Sequence, residues 1–281
     1  MATIEIVGGK KTLSFEFFPP KTPEAEQTLR ETVDALAYRK PLFVSVTYGA
    51  GGSIIDRTRD VVVDLAASYP FAVMPHLTCV GHSEDEVNML LDDYADNGID
   101  NMLALAGDPP AGGSDPGGDF RFASELVEQI KAHRHGFKIG VAAFPEVHPR
   151  STDRKVDREH LARKLESADF GISQFFFDPK HYVQMVEELD ALGCDTPVLP
   201  GIIPVINPTT IRRFADMNEA KVDEDLWTRL ERADEHDRLS IAVEHAATMA
   251  TTLLEAGAPG LHFYALNRAD AVSGILDLIG W

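Results

Sequence analysis

Glu16 lies in the apolar run Leu13-Ser14-Phe15-Glu16-Phe17-Phe18, a carboxyl group with a phenylalanine on either side. In an extended chain successive side chains alternate, so Ser14, Glu16 and Phe18 share one face and Phe15 and Phe17 the other. If that face points into a closed sheet, desolvation should raise the Glu16 pKa and keep it protonated near neutrality, the state a general acid requires. The alternative is a structural glutamate paired to a lysine or arginine. Thr47, His76, Asp108, Gln174 and Arg268 end or follow other apolar runs of the same kind. Asp108 stands between Gly107 and Pro109-Pro110, a turn that would hold a carboxylate stiffly, although Asp before Pro is also a common turn former.

Two further stretches are candidates. Thr47-Tyr48-Gly49-Ala50-Gly51-Gly52-Ser53 leads into a helix start, where free backbone N–H groups can meet a phosphate, or it is only a turn. Phe144-Pro145-Glu146-Val147-His148-Pro149 ends the fifth run, and Asp157, His160, Arg163 and Lys164 follow on an expected helix. Asp157, His160 and Lys164 share one helix face by their i, i+3 and i+7 spacing, as residues of an ordinary solvated face also do. His76, His148 and His160 form no HxH or HxxxH pair, so no metal is expected. No serine or cysteine nucleophile arrangement is evident.

The elements that must position these groups are legible in the pattern. Eight runs rich in β-branched and aromatic residues recur at similar spacing: LSFEFF, FVSVTY, FAVMPHLTC, NMLALAG, KIGVAAF, GISQFFF, PVLPGII and GLHFYAL. Segments of helical periodicity such as PEAEQTLRETVDALA, SEDEVNMLLDDYADNG and FASELVEQIKAHR lie between them. Strand then helix, repeated eight times, predicts a parallel (β/α)8 TIM barrel, an α/β fold with its chemistry at the carboxyl ends of the strands. An open doubly wound sheet would carry GxGxxG after its first strand, where Pro19-Pro20-Lys21 stands instead. No linker or repeat divides the chain, so residues 1–281 read as one domain. The Gly- and Pro-rich stretch from Pro109 to Asp119 reads as a loop after the fourth strand, either a lid or a plain surface loop.

The composition narrows the partners. A formal net charge of -19 disfavours nucleic acid and anionic membrane surfaces. The acidic stretch Val222 to Arg238 reads as a solvated helix pair. Two cysteines, Cys79 and Cys194, exclude a disulfide scaffold and suit a reducing cytoplasm. No apolar run approaches the roughly 18 residues of a membrane span, and the start lacks a leader pattern, so a soluble, unprocessed protein is expected.

Taken in order, SFEFFPPKT, FVSVTYGAGGS, PHLTC, NGIDNMLALAGDPP, VAAFPEVHP, QFFFD, PGIIPV and LHFYALNR resemble the methylenetetrahydrofolate reductases over nearly the whole chain. The resemblance implies a single β/α barrel that binds FAD, takes a hydride from NADH or NADPH and passes it to 5,10-methylenetetrahydrofolate, feeding methionine synthesis. It implies a general acid at Glu16, a carboxylate near flavin and pterin at Asp108, and folate contacts at Thr47, Gln174, Phe214 and Arg268. Thr47, Tyr48, Ala50, His76, Gly107, Asp108, Phe122, Phe144, His148, Ser151, Asp157, His160, Arg163 and Lys164 fall at FAD-contacting positions. Ala106 departs from the family pattern, where an Arg commonly stands, and Phe122, Phe144, His160 and Thr210 depart in smaller ways. The end at Trp281 implies no regulatory domain, and relatives often form homo-oligomers. The alternatives are a related reductase with a different electron carrier or weakly held flavin, and a non-catalytic folate-binding barrel.

Overall fold

The computed structural model describes residues 3–6, 9–48, 52–107 and 117–281 of the protein. Ala50 and Asp108 lie outside the described residues, as do 109–116 of the Gly- and Pro-rich loop. Every strand pairing is parallel: β1 (Thr12–Phe17), β2 (Phe43–Val46), β3 (Ala72–Thr78), β4 (Asn101–Leu105), β5 (Lys138–Ala143), β6 (Phe170–Ser173), β7 (Val198–Leu199), β8 (Gly201–Ile202) and β9 (Gly260–Tyr264). Their order is β7-β6-β5-β4-β3-β2-β1-β9-β8. Nine strands stand where the sequence pattern has eight because Pro200, with no N–H to give the ladder, splits the seventh run in two. Its first half pairs with β6 and its second with β9, so the sheet closes into a barrel through that proline.

The helices follow their sequence signals. α1 (Pro23–Ala37) opens with Thr22 accepting from the Ala25 N–H and Pro23 in the first turn, and α3 (Glu84–Asp96) opens with a reciprocal Ser83 and Glu86 box. α2 (Gly52–Ser68), α4 (Ala123–Ala132), α5 (Arg154–Glu166), α6 (Pro179–Ala191), α7 (Pro208–Met217), α9 (Glu235–Glu255) and α10 (Ala269–Leu278) complete the outer layer, with α8 (Glu224–Arg232) as an addition between α7 and α9. The acidic stretch does form a helix pair, but it is not wholly solvated. Leu226, Trp227 and Leu230 of α8 are buried with Phe175, Phe177 and Ile211 in a satellite core beside the rim.

Strand alternation divides the main core. Phe15, Phe17 and Phe263 face the helices, whereas Phe43, Met74, Leu103, Phe170, Ile172 and Leu199 fill the barrel's interior together with Ile4. The Ile4 N–H donates to Asn101 Oδ1 at 2.9 Å, fixing the segment before β1 to β4. Each such side chain removed from water contributes about 1.5–3 kcal/mol. Two runs leave the sheet earlier than their apolar length suggests. β2 ends at Val46, and β6 ends at Ser173, because Phe175 and Phe177 turn into the satellite core, which puts Gln174 just past the strand instead of within it.

Candidate active site

All strands being parallel, their carboxyl ends share one rim, and Glu16 sits there on the inner face of β1. It is 7% exposed and pairs in register with Ser45 of β2 and Tyr264 of β9. Asn267 holds that end of β1 to the end of β9, its side chain accepting from the Phe18 N–H and donating to the Phe18 carbonyl, both at 2.9 Å. Among the described residues the carboxylate has no lysine or arginine partner. Instead, Glu16 Oε2 lies 3.2 Å from His76 Nε2 and 3.6 Å from His262 Nε2. Both nitrogens are buried and make no complete hydrogen bond among the described residues.

This geometry corrects the sequence-based expectation for the protonation of Glu16. Burial does push its pKa up, but the attraction of the two facing imidazoles, His76 first, outweighs burial and leaves it lowered to about 2. Alone, the carboxyl is therefore ionised at neutrality. Desolvation was the only influence the sequence exposed, since both imidazoles come from distant strands. Across the ladder, Tyr264 donates its hydroxyl to the Ser173 carbonyl at 2.9 Å, and burial followed by the Glu16 charge holds that phenol well above its ordinary range. A side chain at position 201 would meet the Ser173 carbonyl and the Tyr264 ring at 2.3 and 2.6 Å, so Gly201 is what lets this ring lie across β8.

A second group lies after β5. The Phe144 and His148 rings approach to 4.5 Å between centroids. The His148 N–H donates to Asp157 Oδ1 at 3.2 Å, and the His148 carbonyl accepts from the Ser151 N–H. The three carbonyls Phe144, Pro145 and Glu146 accept from Arg158, a buried residue that the sequence reading passed over. Asp157 also pairs with Arg158 at 2.7 Å and is itself buried, so the Asp157, His160 and Lys164 stripe is not a uniformly solvated face. His160 is exposed and accepts from Arg163 at 3.2 Å. Lys164 is half-buried with no carboxylate in ion-pair reach among the described residues, and burial lowers its ammonium to about 8 against the opposing pull of Asp157.

The remaining candidates are spread around the rim. Gln174 donates to Asn218 at 3.2 Å, and Asn218 donates to the Phe214 carbonyl at 2.9 Å, which joins these two sequence candidates through a residue the pattern did not single out. Thr47 follows β2, with its N–H on the Phe17 carbonyl, and the Tyr48 hydroxyl meets His82 Nε2 at 2.8 Å. Gly107 has φ +83 with Thr78 Cβ at 3.0 Å from any added Cβ, so this turn after β4 requires glycine. Arg268 is exposed and paired to Asp270 at 2.6 Å, and Phe122 is 62% exposed at the start of α4.

A family model described as methylenetetrahydrofolate reductase matches residues 3–280. The chain belongs to the methylenetetrahydrofolate reductase family. Similar relatives include the 5,10-methylenetetrahydrofolate reductase of Salmonella typhimurium, 38% identical over 98% of this chain and 92% of that one, and that of Escherichia coli, 37% identical over the same shares. The methylenetetrahydrofolate reductase (NADH) 1 of Arabidopsis thaliana is 32% identical over 97% of this chain but only 49% of its own length. Among solved structures, a Clostridium thermocellum protein that binds two copies of 5-methyl-5,6,7,8-tetrahydrofolic acid superposes with a TM-score of 0.70 at 12% identity, covering 96% of this chain and 95% of that one. The dihydropteroate synthase of Xanthomonas albilineans does so at 0.54 and 12%, over 99% and 94%. At such identities the likeness is one of fold.

The resemblance to the reductases named Glu16 and His76 separately, one for acid chemistry and one for the flavin, and the structure brings them into contact. His262, Tyr264, Asn218 and Arg158 were missed. The signal for His262 was present: in GLHFYAL, alternation puts His262 and Tyr264 on one face of a strand, as it put Ser14 and Glu16 on one face of LSFEFF.

Proposed function

We propose that the protein reduces 5,10-methylenetetrahydrofolate to 5-methyltetrahydrofolate with NADH or NADPH, through bound FAD, taking the two substrates in turn. The observation that carries this reading is the buried carboxyl of Glu16 at the barrel mouth, in contact with two imidazoles, in a chain of the reductase family. The donor set suits the flavin nucleotide. Lys164 is a half-buried cation with no carboxylate in ion-pair reach among the described residues, and with His148, Ser151 and Arg163 it would hold the diphosphate. Tyr48, His76, Phe122 and Phe144 are the further flavin candidates, with Ala50 and Asp108 assigned from resemblance alone. When bound, FAD supplies hydride transfer between the nicotinamide and the one-carbon unit.

The chain's own residues supply binding and proton handling. Gln174, tied to Asn218, and Phe214 offer an amide and a ring to the pterin, with Thr47 and Arg268 as further folate contacts. The proton delivered by Glu16 to N10 lets the bond between N10 and the bridging methylene carbon break while the N5 lone pair forms the iminium. That cation is the species able to accept a hydride. Because Glu16 is ionised at neutrality, the proton it delivers must reach it from the imidazoles facing it.

Anaerobic mixing of the purified protein with NADH or NADPH should bleach the flavin bands, and methylenetetrahydrofolate should then restore them. Flavin that is reduced but never reoxidised by the folate overturns the reading. Ala106 favours a second possibility, a reductase with weakly held flavin or another carrier, since its methyl offers no charge to an anion. A colourless preparation whose folate reduction is indifferent to added FAD would favour it.

A further inference from the structure

Glu16 is surrounded by an unusual density of buried polar groups without hydrogen-bond partners. Among the described residues five buried side-chain atoms lack one, and three of them, Ser45 Oγ, His76 Nε2 and His262 Nε2, belong to the register partner of Glu16 and the two imidazoles on its carboxylate. Folded chains leave few such groups, and their clustering around one carboxyl calls for an explanation. His262 is wholly buried. Its ring lies flat on Phe43, centroids 5.9 Å apart at 20°, and meets Tyr264 edge-on at 5.4 Å and 87°. That packing fixes the ring plane and aims one nitrogen at Glu16 and the other at Ser14.

The hydrogen bonds at the far nitrogen decide the tautomer. His262 Nδ1 is 2.9 Å from Ser14 Oγ, and the Ser14 hydroxyl donates to the Leu261 carbonyl at 3.3 Å. A hydroxyl has one proton, so with that proton on Leu261 the Ser14 oxygen accepts from Nδ1–H. Nδ1 therefore keeps its proton, and Nε2 is the nitrogen that gains or loses one opposite Glu16. A carboxylate oxygen facing two bare imidazole lone pairs would repel both, so a proton belongs between them.

We propose that His262 is a positioning residue for the folate half-reaction, holding at Nε2 the proton that Glu16 delivers, with Ser14 fixing the tautomer that makes this transfer possible. The inference rests on the reductase reading above. The proton on His262 Nε2 passes to the Glu16 carboxylate and from there to folate N10 as the N10–methylene bond opens, which returns Glu16 to its ionised state. His262 is left neutral with Nδ1–H still on Ser14, and the next proton comes from solvent between turnovers. His76, 6% exposed where His262 is fully buried, stands nearer the solvent side of the pair. No other titratable group among the described residues shares the cluster except Tyr264, whose phenol is engaged with Ser173 and stays neutral.

The test uses the full-length protein with 13C-labelled glutamate carboxyls, the Glu16 signal assigned by its loss in Glu16→Gln. In His262→Asn, which keeps an amide donor for Ser14 but places no nitrogen against Glu16, the Glu16 midpoint should rise by about one pH unit or more. Folate-driven flavin reoxidation should slow by about ten-fold at neutral pH and above, with nicotinamide-driven reduction within about two-fold of wild type. Ser14→Ala, a mild change should His262→Asn fail to fold, should displace the reoxidation pH profile in the same direction. A Glu16 midpoint and a pH profile that both superpose on wild type in a folded variant overturn the proposal. Should the wild-type protein reduce no methylenetetrahydrofolate, the functional reading fails by itself, and the carboxyl titration still decides whether His262 governs Glu16.

Discussion

Two buried charge clusters of this barrel are built on opposite plans. Behind the loop after β5, Arg158 is 2% exposed and uses all five of its N–H groups: one on Glu188 at 2.7 Å, one on Asp157 at 2.7 Å, and three on the carbonyls of Phe144, Pro145 and Glu146. Around Glu16, by contrast, three buried polar atoms make no complete hydrogen bond among the described residues, and two of them are the imidazole nitrogens that face the carboxylate. A satisfied network locks backbone in place, whereas an under-satisfied one retains positions where a proton can move. The first fits a scaffold that presents His148 and Ser151 to a ligand, and the second fits a reacting centre.

Substitutions can break the contrast from either side. Glu16→Gln keeps the shape and removes the acid, so reoxidation of flavin by methylenetetrahydrofolate should fall on the order of a thousand-fold while nicotinamide-driven reduction persists, as rapid-mixing absorbance would read. Loss of both half-reactions would assign Glu16 a structural role instead. Arg158→Met should cost about 3 kcal/mol or more in urea unfolding, because Glu188, Asp157 and three carbonyls lose their donor together. A cost near zero there would mean that the satisfied cluster is not a scaffold.

The pH dependence distinguishes the clusters as well. The Glu16 carboxyl, held at about 2 when folded against an ordinary 4.5, adds stability that is complete above pH 4.5 and lost as the pH falls toward 2. Its size is on the order of 3 kcal/mol, and acid unfolding of Glu16→Gln should be correspondingly flatter across that window. The smallest effect belongs to the rim. Lys164, lowered to about 8, should hold FAD less tightly as the pH rises through 8, and Lys164→Met should weaken FAD by about ten-fold below that pH and remove the dependence, read by flavin fluorescence.

Much of the architecture was legible because its signals are local. Alternation in LSFEFF and helical period in PEAEQTLRETVDALA depend on neighbours along the chain, and the structure keeps α1 at those same residues. The eight-fold repeat also survives, with the split at Pro200 visible in PVLPGII as a residue that cannot donate. Less of the site could be read, because its key contacts join residues far apart in sequence. Gln174 and Phe214 were named singly, and Asn218, which links them, carries no pattern of its own.

The sequence by itself determined the parallel barrel, the family, and that Glu16 is a carboxyl sharing one strand face with Ser14; that this face points inward came from the structure. Only the tertiary structure decided the state of that carboxyl. Desolvation follows from position in a strand, but the imidazoles that outweigh it arrive from β3 and β9, 60 and 246 residues further along the chain. Electrostatic environment is set by distance in space, and closing the barrel is what brings those three residues together.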